Sequence, residues 1–461
     1  MSASISTSTR RRILRGAVTV ALVTGMAGGL AACSDSDDDG GSGKASAKPS
    51  ASASAPTSAG QGAAAEKRLG ELAQKAADGG STGVIVRVDS GNGKPVELAR
   101  QAGWTESDHR IAPDDQFRVG SNTKTVTATL VLQLVAQHKI GLDDPVEKWL
   151  PGKVRGGKAG GGKAEGGKAE GWKGKGGKDI TVRMLLNHTS GLGDFLLTPE
   201  FLPSLTGQQK RTWRPEELLA ITPQQDPPTA PGEKHFYSNA NYEALQLIVE
   251  KATGTKMADL IEEKITKPLK MKDSFLAKNA AWPSGKQHVT GYEPDAERLR
   301  GILSGTVDLP KGVGFAGPGR PKNNVDTVAI DPSWAGAAGG MVSTAQDWER
   351  FLTALMSGKL LPEAQMKQMR TTVADPEGGG YGLGLMKVDT PCGTVWGHTG
   401  GLPGYSSEVY TDESGKRSVA VLTSTNFGIK EKSAAVSNKA LVDAAACTML
   451  GKPLPSGAAA E

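Results

Sequence analysis

Strand-forming segments stand near the two ends of this 461-residue chain and leave the middle to helices and loops. Residues 83–88 (G-V-I-V-R-V) and 96–102 are short, rich in β-formers and bounded by turn residues, which marks strands. Residues 394–397, 406–411 and 418–425 read the same way, with Gly401, Gly404 and the run 412–415 as turns. Between the two groups, residues 124–138, 242–252 and 345–356 carry apolar side chains at helical spacing, and a last helix is expected over 430–450. Strands must pair to persist, so the two ends have to meet. The expected fold is α+β: one antiparallel sheet made from both ends, flanked by helices, with a mostly helical lobe inserted in the middle.

The first 33 residues read as an export signal. Arg10, Arg11, Arg12 and Arg15 precede the uncharged apolar run 17–30. Fourteen residues fit a signal-peptide core and are too few to span a bilayer as a helix. Leu30-Ala31-Ala32-Cys33 follows at once and resembles a bacterial lipobox, in which Cys33 takes the lipid and becomes the mature N-terminus. The arginine cluster is compatible with general or twin-arginine export. Residues 34–65 are Ser-, Ala-, Gly- and Asp-rich and hold almost nothing large to bury, so a disordered linker is expected there, with a reach of roughly 30 Å. The folded domain is expected over 66–453, interrupted by a Lys/Gly-rich insertion at 152–178 with near-repeats of G-G-K-A-E. That tract is read as a solvated loop, with an arm for anionic wall polymers or headgroups as the alternative.

Charge excludes one class of partner. The formal net charge of +5 includes the four signal arginines, so the mature chain carries +1, and nucleic-acid binding has no electrostatic support. The chain has three cysteines. With Cys33 lipidated, Cys392 and Cys447 remain as a pair in an oxidising compartment, closing a loop of 55 residues worth about 4 kcal/mol on the chain-entropy model. The six histidines show no metal-ligand spacing, and neither a metal nor another cofactor is expected.

Three short motifs carry chemistry. Ser121-Asn122-Thr123-Lys124 is S-x-x-K at the opening of the 124–138 helix; spacing i, i+3 sets the hydroxyl and the ammonium on one face, beside unpaired N–H groups able to stabilise an oxyanion. Tyr237-Ser238-Asn239 is Y-x-N, expected on a turn before a helix, where a nearby cation would ease ionisation of a phenol with an ordinary pKa near 10. His398-Thr399-Gly400 is H-T-G at the expected end of the 394–397 strand, where it could hold a cation or donor over the serine while the backbone binds an extended substrate.

In this order, 116 and 161 residues apart, the motifs resemble those of the serine β-lactamase-related superfamily: class C β-lactamases, D-alanyl-D-alanine carboxypeptidases and related esterases. F-R-V-G-S-N-T-K, L-L-N-H-T-S-G-L (185–192) and G-Y-G-L-G-L (380–385) extend the likeness over about 68–453. C-G-T-V-W-G-H-T-G (392–400) with the late Cys447 is similar to secreted actinobacterial-type carboxypeptidases. The resemblance implies a nucleophile at Ser121, a proton-relay partner at Lys124 and proton exchange through Tyr237. It also implies substrate contact through Asn239, a strand edge lined by His398 and Thr399, and an oxyanion hole from the N–H groups of Ser121 and Gly401. Trp334 matches a cleft aromatic. Two positions depart from the carboxypeptidase pattern. Met386, followed by Lys387, stands where a basic residue binds the substrate carboxylate, and Gly401 replaces a hydroxyl-bearing residue after Gly400. The expected substrate is a peptidoglycan-like peptide, a β-lactam or an ester. The leading expectation is a D-alanyl-D-alanine carboxypeptidase-like or β-lactamase-like serine hydrolase acting through an acyl-enzyme at the cell wall, exported, monomeric and lipid-anchored; a carboxyl esterase on the same scaffold and a penicillin- or wall-binding protein of negligible turnover are the alternatives.

Overall fold

The computed structural model describes residues 58–154, 178–222, 229–283, 285–304, 309, 312–376 and 378–453. The signal segment with Cys33, the linker up to residue 57 and the insertion between 155 and 177 lie outside the described residues.

The two ends do build one sheet. Its eight strands run in the order Val96–Gln101, Gly83–Asp89, Ser418–Thr423, Tyr405–Thr411, Gly393–Leu402, Met386–Thr390, Gly380–Tyr381 and Val373–Ala374. All neighbouring pairs are antiparallel. The junction between the ends is the ladder from Val84↔Thr423 to Asp89↔Ser418. Strand alternation sorts the side chains into two layers. Val84, Val86, Val395, Tyr410, Val419 and Val421 pack with Leu69, Ala73, Leu441 and Met449 of the first and last helices, Ser58–Ala76 and Lys432–Leu450. Ile85, Trp396, Val409, Ala420 and Leu422 face the larger core shared with the helical lobe. A disulfide joins Cys392, in the turn between two strands, to Cys447 of the last helix, with Cα atoms 5.2 Å apart.

Several boundaries differ from the sequence expectation. The first helix begins at Ser58, inside the segment expected to be linker through residue 65, because its later turns find a partner for Leu69 and Ala73 on the sheet. Val154 belongs to the core, so the edge of the expected 152–178 insertion is anchored rather than solvated. Two further three-stranded sheets flank the large one: Phe117–Arg118, Met341–Ser343 and Phe275–Leu276, and Tyr292–Pro294, Asn324–Asp326 and Gly319–Arg320.

The helix Thr123–Ala136 is buried almost all round rather than amphipathic. Its threonines tolerate this because each hydroxyl finds a backbone carbonyl. Thr123 donates to Gly120 O at 2.7 Å, Thr125 to Gly384 O, Thr127 to Ala337 O and Thr129 to Thr125 O, the last three at 2.8 Å. The helix is thus a central pillar, and the residues at its start are held from several sides.

Candidate active site

Ser121 sits in a 3-10 turn, Gly120–Asn122, that feeds directly into this helix. Gly120 has φ +54° and lies so close to the Gly393–Leu402 strand that a Cβ there would stand 2.5 Å from Gly401 N. Only glycine meets both demands. Asn122 donates to Ser407 Oγ at 2.8 Å, and Ser407 donates to Val119 O at 2.8 Å, so the turn is pinned to the sheet.

Lys124 is fully buried, with Nζ 3.1 Å from Ser121 Oγ, 2.8 Å from Asn239 Oδ1 and 2.7 Å from Ala338 O. Two of these partners, an amide oxygen and a backbone carbonyl, can only accept. In its neutral form the amine has two hydrogens, which they consume, and its lone pair is left facing Ser121 Oγ. Burial lowers the Lys124 pKa to about 7, against the opposing pull of Asp194 and Glu243. The lysine can therefore take a proton from the serine near neutral pH. Glu243 beside it is buried, and desolvation pushes it up to about 8, so amine and carboxyl are each driven toward the uncharged form.

Asn239 opens the helix Asn239–Thr253. Its expected role as a substrate contact is narrowed, since the oxygen is on Lys124 and Nδ2 donates to Asp194 Oδ2 at 2.8 Å, leaving one amide hydrogen for a ligand. Asp194 also accepts the Asn239 backbone N–H at 3.1 Å and so fixes which way the amide points. Tyr237, two residues earlier, stacks on His188 with centroids 4.2 Å apart, and Lys124 Nζ lies 4.7 Å from its ring centre. His188 adopts φ +59° and accepts Ser238 N–H at Nδ1, 3.2 Å away; Asn241 Nδ2 stands 2.9 Å from the same nitrogen.

His398 departs most from expectation. It lies inside the ten-residue strand Gly393–Leu402, not at the end of a shorter one. Both ring nitrogens are engaged: Nδ1 faces Thr399 O at 2.5 Å, and Tyr381 O–H is 2.8 Å from Nε2. Carbonyls only accept, so Nδ1 carries the hydrogen and Nε2 accepts from the tyrosine. Burial, with Lys124 nearby, lowers its pKa to about 3. In place of the cation or donor expected over the serine there is a neutral imidazole with both nitrogens tied into the fold.

The strand itself has an open side. Its pairing with Met386–Thr390 ends at Met386↔Gly397, whereas its other neighbour continues to Leu402↔Tyr405. Residues 398–402 thus present a one-sided edge beside the serine turn. Thr399, Gly400 and Gly401 all lie on it, and a side chain at Gly400 would collide with Val119 O. Met386 marks the corner where the edge opens, with Thr399 Oγ1 4.0 Å from its sulfur. Lys387 pairs with Trp396 and takes the opposite face, so it does not stand in for Met386 on the Thr399 side.

The cavity at Ser121 has an empty volume of about 400 Å³, part of it open to solvent. Phe195, Leu196, Leu205, Trp334, Leu402 and Phe427 supply its apolar walls; Asn239 and Asn426 are polar, and Gly401 closes one side. Among the described residues that line it, none is basic. Trp334 is both wall and core, 5% exposed and edge-on to Phe201 at 5.2 Å. Sequence reasoning missed Asp194, Glu243, Tyr381 and Asn426. The signal available was weak: Asp194 follows the L-L-N-H-T-S-G-L run by two residues, and Tyr381 lies in G-Y-G-L-G-L.

Comparison with known proteins adds the following. The family model described as Beta-lactamase matches residues 69–444. Esterase EstB of Burkholderia gladioli is 28% identical over 345 residues, covering 70% of this chain and 80% of the esterase. Penicillin-binding protein 4* of Bacillus subtilis is 25% identical over 295 residues, covering 63% of this chain and 56% of that relative, so the likeness spans little more than half its length. Among solved structures, a D-stereospecific amidohydrolase from Streptomyces sp. superimposes with a TM-score of 0.65 at 34% identity, covering 84% of this chain and 98% of that one.

Proposed function

The chain belongs to the beta-lactamase family and is a serine hydrolase; from that premise we propose that it cleaves neutral amides or esters with an apolar, D-configured acyl part, through an acyl-enzyme on Ser121. The observation that carries this reading is the lining of the cavity, apolar on most sides and without a basic residue among those described. A free carboxylate is ordinarily held by a guanidinium or ammonium. Met386 at the corner of the open edge offers only a soft apolar contact. The likeness to a D-stereospecific amidohydrolase and to an esterase supports the choice of bond and of configuration.

In this mechanism neutral Lys124 removes the Ser121 proton as Oγ attacks the carbonyl carbon. The oxyanion is received by the N–H groups of Ser121 and Gly401. Tyr237 passes the proton on to the leaving amine or alcohol, and water then repeats the sequence on the acyl-enzyme. His398 acts as a positioning residue through Tyr381.

A second reading, a D-alanyl-D-alanine carboxypeptidase or β-lactamase at the cell wall, is favoured by the open edge at 398–402. That edge suits an extended peptide, and Thr399 supplies a hydroxyl there. Export and lipidation at Cys33 are part of both readings and rest on the L-A-A-C sequence; the Cys392–Cys447 bond is consistent with an oxidising compartment. Intact-mass measurement after exposure to a β-lactam and to a D-phenylalanine ester tests the proposal. A transient acyl adduct from the ester, absent in Ser121→Ala, is expected. Labelling that persists in Ser121→Ala would refute the assignment of the nucleophile, and a long-lived β-lactam adduct with no ester turnover would favour the second reading.

A further inference from the structure

Glu293 lies in the strand Tyr292–Pro294, outside every motif named above, and has no exposed surface. Its carboxylate collects four donors. Oε1 accepts Gly404 N–H at 2.6 Å and Asn426 N–H at 3.0 Å. Oε2 accepts Phe427 N–H at 2.9 Å and the Thr425 hydroxyl at 3.1 Å. These donors belong to two segments separated by the strands Tyr405–Thr411 and Ser418–Thr423, and both segments wall the Ser121 cavity. Gly404 is in the turn after Leu402 and Pro403; Asn426 and Phe427 form the adjoining lip. The two lips also touch: a Cβ on Gly401 would stand 2.7 Å from Asn426 Oδ1.

We infer that Glu293 is a positioning residue for the hydrolysis, a buried clamp that holds the Gly401 edge and the Asn426–Phe427 lip at the spacing the substrate requires. The inference rests on the serine-hydrolase site described above and adds to it the group that sets the cavity's width. Two oxygens with two lone-pair directions each match the four donors, as suits an ionised carboxylate; an acid O–H could be accepted only by the Thr425 hydroxyl, at the cost of the Phe427 N–H or Thr425 bond. Burial pushes the Glu293 carboxyl up to about 7, and the backbone hydrogen bonds from Gly404, Phe427 and Asn426 oppose that rise. A carboxylate placed only to stabilise the fold could have taken any four orphan amides. This one takes its donors from two neighbouring segments that both line the Ser121 cavity.

The geometry separates the variants. In Glu293→Gln one oxygen remains and suits the Gly404 and Asn426 amides. The NH₂ then faces Thr425, whose hydroxyl can rotate to accept, and Phe427, whose N–H loses its partner. The Gly401 edge keeps its anchor while the Phe427 lip loosens. For a small apolar ester, p-nitrophenyl butyrate, KM is expected to rise on the order of ten-fold with kcat within about three-fold, the scale of one lost buried hydrogen bond. Glu293→Ala frees both lips, and kcat is expected to fall as well. Thr425→Val removes one donor and keeps the carboxylate, and a KM increase of about three-fold is expected. Rates are taken per active site titrated with a fluorophosphonate, alongside a thermal melt, so that loss of folded protein is divided out. If Glu293→Ala does not fold, the other two decide. Glu293→Gln and Thr425→Val with kcat and KM within two-fold of the parent overturn the inference, as does a fall in kcat with KM unmoved. Failure of the underlying site would show differently, as fluorophosphonate labelling that survives Ser121→Ala.

Discussion

Replacing Lys124 by methionine should abolish acylation and, at neutral pH, leave a protein no less stable than the parent. The lysine is fully buried, and its pKa falls from 10.5 to about 7. A base whose pKa is depressed on folding destabilises the fold by the full shift below the folded pKa, and that cost disappears as pH rises from 7 to 10.5. Here the shift corresponds to roughly 5 kcal/mol near pH 7 and almost nothing above pH 10.5. Methionine removes this cost but leaves Asn239 Oδ1 and Ala338 O without their donor, at about 1–3 kcal/mol each. The two terms nearly cancel at pH 7. At high pH only the second survives, so the variant should become the weaker protein by a few kcal/mol. Urea denaturation of both proteins at pH 7 and pH 10 measures the difference directly, and its change with pH is the test. A stability gap that stays constant between the two values would mean that Lys124 is not held neutral by burial. The same reasoning fixes the kinetics. Ester hydrolysis by the parent should fall about ten-fold per pH unit below a midpoint near 7. A midpoint above 9 would remove the lysine as base.

Three other outcomes follow from particular residues. Met386→Arg places a guanidinium beside Thr399 at the mouth of the open edge; it should raise the preference for a D-alanyl-D-alanine carboxylate over its ester by about ten-fold in kcat/KM, and no gain would mean that the carboxylate is held elsewhere. Deleting residues 156–177 should spare turnover of small substrates, because Val154 and Ile180 on either side remain in the core; a large loss would make the Lys/Gly arm part of the site. Thiol titration of the mature, denatured, unreduced protein should find no free cysteine, and two titratable thiols would count against the Cys392–Cys447 bond.

Periodicity exposed most of the scaffold. The helix Ala345–Met356 has the bounds its apolar spacing indicates, and its N-cap Thr344 accepts Asp347 N–H at 3.2 Å. Strands 83–88, 406–411 and 418–425, the last ending at Thr423 in the structure, were legible as short runs of β-formers bounded by turn residues; G-V-I-V-R-V and S-V-A-V-L-T are buried on both faces and so do not alternate. The strand carrying His398 was read too short because G-H-T-G-G-L looks like a turn. Its glycines instead serve close approach, at Gly397 to Tyr410, at Gly400 to Val119 and at Gly401 to Asn426. The protonation state of His398 was not legible either, because it depends on Tyr381, on burial and on Lys124. The buried carboxyls escaped for a general reason. Asp194, Glu243 and Glu293 are single acidic residues on unremarkable segments, and what makes each matter is a partner distant in sequence, such as Lys124 or the Asn426 amide. Ser121, Lys124 and Tyr237 lie in short local runs and can be recognised; the groups that surround them belong to the folded state alone.

The ladder between Val84 and Thr423 has a consequence for biosynthesis. The strand Gly83–Asp89 pairs on one side with Val96–Gln101, which follows it immediately, and on the other with a segment more than 300 residues later. Until that segment has been made, the strand carries an unpaired edge and the apolar residues on both its faces lack most of their partners. Contacts of such sequence separation close late and slowly. The domain therefore cannot complete its sheet before residues 418–423 have been made, and any truncation that removes them leaves Ser121 present but the sheet beside it open.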